Sequence, residues 1–167
     1  KWIKEKFKRY EPYHPLFDRT LVMIFEKAST RTRLSFEAGM QQLGGSAIYL
    51  NTRDSQLGRG EPVADTARVL TSMAYSIVWR TFGQDRVEEM AKYATCPVVN
   101  ALTDQFHPCQ VLADLLTIRE HKGSLAGLTV TSTFFQLTLA AVMALNVDLK
   151  VLSANGFYDF VTPFYQT

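Results

Sequence analysis

Leu21-Val22-Met23-Ile24-Phe25 is followed closely by Ser29-Thr30-Arg31-Thr32-Arg33 and then by Leu34-Ser35-Phe36-Glu37-Ala38-Gly39-Met40. The first run is apolar and suits a buried strand; the last has the spacing of a helix. Between them lies a turn made of hydroxyls and guanidinium groups. A helix start has N–H groups without internal partners, and its dipole favours an anion there. Ser29 or Thr30 can cap such a helix. Arg31 and Arg33 add fork-shaped donors that match a phosphate. The stretch therefore predicts a strand, a phosphate-holding turn and a helix, and α/β as the fold class.

The rest of the chain repeats this alternation. Strands are expected at Leu21–Phe25, Ala47–Leu50, Tyr75–Arg80, Pro97–Asn100, Leu128–Thr131 and Leu149–Ser153. Helices are expected at Thr32–Leu43, Val63–Met73, Gln84–Ala94, Pro108–His121 and Gln136–Leu145. The start, with Ile3 and Phe7 opposite lysines, reads as part of an amphipathic helix. The alternation predicts a parallel sheet flanked by helices. A boundary is expected near His121–Gly127, giving one domain at 1–124 and an incomplete second α/β domain at 125–167, too short to bury both faces of its strands.

Bulk composition narrows the class. Of 167 residues, 47% are hydrophobic and 20% charged, which fits a folded globular protein. Eighteen basic against 16 acidic residues leave a formal charge of +2, with no basic block to attract nucleic acid. No apolar run approaches the ~20 residues of a membrane span. The opening residues lack the layout of a signal peptide, so the expected location is cytoplasmic. Cys96 and Cys109 lack metal-ligand spacing and read as reduced thiols.

In open parallel sheets, ligands bind beyond the carboxyl ends of the strands. Here the first strand leads to Ser29–Arg33. The second leads, through the long polar connection Asn51–Gly60, to Gln56 and Arg59. The third ends at Arg80-Thr81, and the fourth leads to His107-Pro108-Cys109-Gln110. These groups suit an anion and a polarised carbonyl, an oxyanion-type site, better than a hydrolase nucleophile.

Four segments carry a resemblance: Phe25-Glu26-Lys27-Ala28-Ser29-Thr30-Arg31-Thr32-Arg33, Ser55-Gln56-Leu57-Gly58-Arg59-Gly60-Glu61, Arg80-Thr81-Phe82 and Phe106-His107-Pro108-Cys109-Gln110. In this order and spacing the chain resembles the ornithine carbamoyltransferases of the aspartate/ornithine carbamoyltransferase family. The resemblance runs from about Leu21 to Val130. It implies a carbamoyl-phosphate-binding domain, L-ornithine as second substrate, L-citrulline and phosphate as products, no metal or organic cofactor, and a homotrimer with sites between subunits. It implies that Ser29, Thr30, Arg31 and Thr32 hold the phosphate. Arg80 bridges phosphate and carbonyl oxygen, His107 hydrogen-bonds the carbonyl, and Gln110 accepts from the carbamoyl amide. Gln56 reaches into the neighbouring subunit's site, and Cys109 takes no catalytic part. The Gln56-Leu57-Gly58-Arg59 loop differs from aspartate-type relatives, which supply a lysine there. Thr30 separates the chain from acetylornithine and succinylornithine relatives.

The resemblance weakens at Thr131-Ser132-Thr133-Phe134-Phe135-Gln136, where the family carries a Gly-Asp-Gly-Asn-Asn-like turn, and the later ornithine-binding segments do not occur. The alternative expectation is therefore a non-catalytic phosphate-binding or oligomerisation remnant that lacks the amino-acid site.

Overall fold

A computed structural model describes residues 2–126 and two short strands at 129–130 and 150–151. The element order is α1 (Trp2–Lys8), β1 (Thr20–Phe25), α2 (Arg31–Gln42), β2 (Ser46–Asn51), α3 (Val63–Thr71), β3 (Ser76–Arg80), α4 (Gln84–Tyr93), β4 (Val98–Leu102), α5 (Pro108–Lys122), β5 (Thr129–Val130) and β6 (Lys150–Val151). The expected helix Gln136–Leu145 and the family turn at 131–136 lie outside the described residues.

Four strands form one sheet in the order β2-β1-β3-β4. β1 pairs in parallel with β2, with Phe25 opposite Asn51, and with β3, with Phe25 opposite Arg80. The inner position of β1 explains its composition. Five successive residues, Leu21 to Phe25, are buried, as a parallel strand covered on both faces requires. β2 lies at the sheet edge and its residues are half-buried or exposed.

Side chains alternate across the sheet. Val22, Ile24, Ile77 and Trp79 belong to one buried cluster, to which α3 adds Val63, Ala67 and Leu70 and α4 adds Val87 and Met90. Each fully buried side chain of this size stabilises the fold by roughly 1.5–3 kcal/mol. The expected apolar face of α3 extended to Met73, but α3 ends at Thr71 and Met73 is 67% exposed. Past the helix end the 3.6-residue period no longer applies.

The chain divides into two compact units, one of residues 1–81 and 85–99 and the other of residues 82–84 and 100–167. In the second unit Ala101, Thr103, Val111 and Leu115 are buried, and β5 pairs in parallel with β6.

Candidate functional site

In the first unit the strand ends bring three of the expected segments to one edge of the sheet. β1 stops at Phe25, and α2 begins at Arg31. Ser29, Thr30, Arg31 and Thr32 therefore occupy the turn and the first helical positions. Thr30 is the N-cap residue, with helical φ −85° and ψ −55°, and its side chain makes no capping hydrogen bond. Thr30 therefore does not supply the expected side-chain cap, because its backbone is already helical where a capping residue is extended. Arg31 is exposed.

Arg33 departs from its expected phosphate role. Its guanidinium lies over the Tyr49 ring, 3.7 Å from the centroid, and its Nε donates to Glu37 at 3.4 Å. It fastens α2 to β2. Sequence separates Arg31 from Arg33 by two positions, which on a helix is about 200°, so the two cannot serve one ligand equally.

Arg80 ends β3 beside the end of β1. The backbone ladder continues one step past the strands, with the Glu26 amide donating to the Arg80 carbonyl at 2.9 Å. Gln56 lies in the connection after β2 and is exposed. This connection is more ordered than its polar composition implies. It folds into two 3-10 turns, at Thr52–Asp54 and Leu57–Arg59. Leu57 is only 8% exposed and joins the core cluster. Gly58 is required by space, since a Cβ there would collide with the Thr52 carbonyl. A cavity of about 210 Å³ lies under this loop, lined by Ile24, Leu50, Gln56, Leu57 and others, but none of the Ser29–Arg33 turn borders it.

His107 and Gln110 come together in the second unit. His107 is the N-cap of α5, and its Nδ1 accepts from the Gln110 amide at 3.3 Å. An accepting Nδ1 assigns the proton of the neutral ring to Nε2, making that nitrogen the donor. Pro108 follows at the first helical position, where its missing N–H costs nothing. Gln110 Nε2 donates to Asp114 Oδ1 at 2.9 Å, so its Oε1 is the acceptor end. The strand-to-helix loop is braced from within the unit. Gln84 Oε1 accepts from Asn100 Nδ2 and from Thr103 Oγ1, both at 3.0 Å, and Thr103 Oγ1 accepts the Phe106 amide at 3.0 Å.

The surroundings of Cys109 favour the protonated thiol over the thiolate. Burial pushes its thiol above the usual range, against a weaker opposing effect from a backbone hydrogen bond, and Sγ lies 3.5 Å from the Asn100 carbonyl. Among the described residues no group of three or more His, Cys, Asp or Glu is arranged to hold a metal ion. Two supporting residues carried no signal of their own in the sequence. Glu26 and Gln84 act through partners distant in the chain, and only the motif around Glu26 hints at it.

A parallel sheet flanked by helices, with an Arg-ended strand and a hydroxyl-rich helix start at its carboxyl edge, defines an open α/β domain. The chain belongs to the aspartate/ornithine carbamoyltransferase family, matching its carbamoyl-P binding domain over residues 1–120. It is 71% identical over 162 residues to an ornithine carbamoyltransferase of Aromatoleum aromaticum, covering 94% of this chain and 53% of that one. The crystal structure of ornithine carbamoyltransferase from Burkholderia thailandensis is similar at TM-score 0.82 and 51% identity, covering 91% of this chain and 53% of that one. Aspartate transcarbamoylase from Trypanosoma cruzi, in complex with carbamoyl phosphate and aspartate, is similar at TM-score 0.77 and 32% identity, covering 90% and 51%. The chain thus spans about half the length of the relatives it matches.

Proposed function

We propose that the protein transfers the carbamoyl group of carbamoyl phosphate to the side-chain amine of L-ornithine, giving L-citrulline and phosphate. One observation carries this reading: Arg80 is opposite Phe25 in parallel register, four residues before the Ser29–Thr32 turn. In this reading Ser29, Thr30, Arg31 and Thr32, with the first N–H groups of α2, hold the phosphate. Arg80 spans phosphate and carbonyl oxygen. His107 donates from Nε2 to that oxygen, and Gln110 accepts from the carbamoyl N–H.

The amine attacks the carbamoyl carbon as free base. A C–N bond forms, negative charge collects on the carbonyl oxygen, and the bond to the phosphate oxygen breaks as the nitrogen gives up a proton to the departing phosphate. Arg80 and His107 oppose that charge, and much of the rate comes from positioning. Neither a metal nor an organic cofactor takes part. Residues 1–124 form the carbamoyl phosphate domain and 125–167 belong to the ornithine-binding domain. Gln56 serves the neighbouring subunit in a homotrimer, and the protein works in the cytoplasm. Among the described residues no helix is long and apolar enough to cross a membrane.

Citrulline formation by the full-length protein from carbamoyl phosphate and ornithine tests the reading. Binding of carbamoyl phosphate without turnover favours a non-catalytic remnant instead. Unchanged affinity in Arg80→Ala overturns the site assignment.

A further inference from the structure

Among the described residues, the Glu26 carboxylate accepts three side-chain hydrogen bonds. Its Oε1 accepts from Trp79 Nε1 and from Thr81 Oγ1, both at 2.9 Å. Its Oε2 accepts from Arg86 Nη1 at 2.6 Å, an ion pair whose carboxylate is only 12% exposed. Arg86 Nη1 also reaches Thr81 Oγ1 at 3.2 Å, and its guanidinium sits over the Trp79 ring at 5.0 Å. A carboxylate only accepts, and here every neighbour donates. Its burial is offset by the paired guanidinium.

Trp79 and Thr81 flank Arg80. Trp79 lies in β3 and Thr81 directly after its end, and both donate to the same carboxylate oxygen. Glu26 therefore binds both neighbours of Arg80 with its side chain, while its backbone amide donates to the Arg80 carbonyl at 2.9 Å. Glu26 also starts the segment leading to Ser29. One residue links the end of β3 to the turn after β1.

We propose that Glu26 is a positioning residue that sets Arg80 relative to the Ser29–Thr32 turn, with Trp79, Thr81 and Arg86 as its anchors. The proposal rests on the carbamoyl phosphate reading above. It makes a prediction of unusual sign. By Coulomb's law alone, removing a carboxylate near an anion site tightens anion binding. Loss of positioning loosens it. Glu26→Gln keeps an oxygen for Trp79 and Thr81 but sets an amide against Arg86.

The test is calorimetric titration of the full-length protein with carbamoyl phosphate, alongside thermal unfolding. Glu26→Gln is expected to weaken binding about tenfold or more while still unfolding cooperatively. Thr81→Val is expected to weaken it several-fold and Thr81→Ser to restore it. Equal or tighter binding in Glu26→Gln, with wild-type affinity intact, overturns the positioning role alone. A lower melting temperature with unchanged affinity does the same and leaves Glu26 merely structural. Should the wild-type protein fail to bind carbamoyl phosphate, the substrate reading falls first and this proposal with it.

Discussion

Two helices start just beyond parallel strands in this molecule, and they start differently. α2 opens on Thr30, whose side chain makes no capping bond. α5 opens on His107, whose ring closes the helix start by accepting from Gln110, with proline next in line. A start not closed by its own side chain suits an outside anion, whose oxygens take the place of the cap. A start closed by its own histidine cannot do the same work as well, but it locks an imidazole in one tautomer and one orientation. The first is built to receive charge, the second to present a donor. In the proposed reading, phosphate falls to the first kind of helix start and the carbonyl to the second.

Substitutions can break that contrast. The largest effect is expected from Arg80→Ala, assigned to both ends of the ligand. A fall in kcat/KM of about 10³ is expected, since even one oxyanion donor is worth roughly 10²–10³. Steady-state kinetics of the full-length protein measure it, and a loss below tenfold removes Arg80 from the site. Next comes His107→Asn, which keeps a capping acceptor for α5 but loses the imidazole. Here kcat should fall about 10²-fold, while the affinity for inorganic phosphate, which has no carbonyl, stays within about twofold. A matching loss of phosphate affinity would show that the two helix starts do not divide the ligand.

Thr30→Ala sharpens the comparison on the stability side. Losing an ordinary threonine cap costs about 1 kcal/mol. With no capping bond to lose, Thr30→Ala should cost under about 0.5 kcal/mol in denaturant unfolding, yet weaken carbamoyl phosphate by roughly three- to tenfold. His107→Ala should show the reverse stability behaviour and cost about 1 kcal/mol. The smallest effect is expected at Cys109. Its raised pKa keeps the thiol protonated at neutral pH, so alkylation should be slow there and speed up only as pH climbs past the range of an ordinary cysteine. Cys109→Ala should leave kcat within about twofold, and rapid alkylation at pH 7 would contradict the burial argument.

Much of the fold was legible because each strand and helix carries its own period. The apolar run Leu21–Phe25 marks a strand covered on both faces, and Pro108 marks a helix start. Expected and observed elements differ mainly by a residue or two at their ends, where fraying and capping decide. Strand order was not legible, because periodicity describes an element and says nothing of its neighbours. The site divides along the same line. Ser29–Thr32, Arg80 and His107 sit in dense local motifs. The stacking of Arg33 on Tyr49 and the burial of Leu57 inside a polar loop are tertiary facts. So is the clasp at Glu26, whose partners lie 53 to 60 residues further along the chain.

Two tryptophans occur in the sequence, and their surroundings are opposite: Trp2 is 58% exposed and Trp79 is fully enclosed. The enclosed indole touches a carboxylate and lies beneath a guanidinium, both of which respond to any shift of the strand end beside it. Its emission is therefore a native optical gauge of the sheet's rim, readable without a dye and set against a water-exposed indole whose signal stays near the red edge.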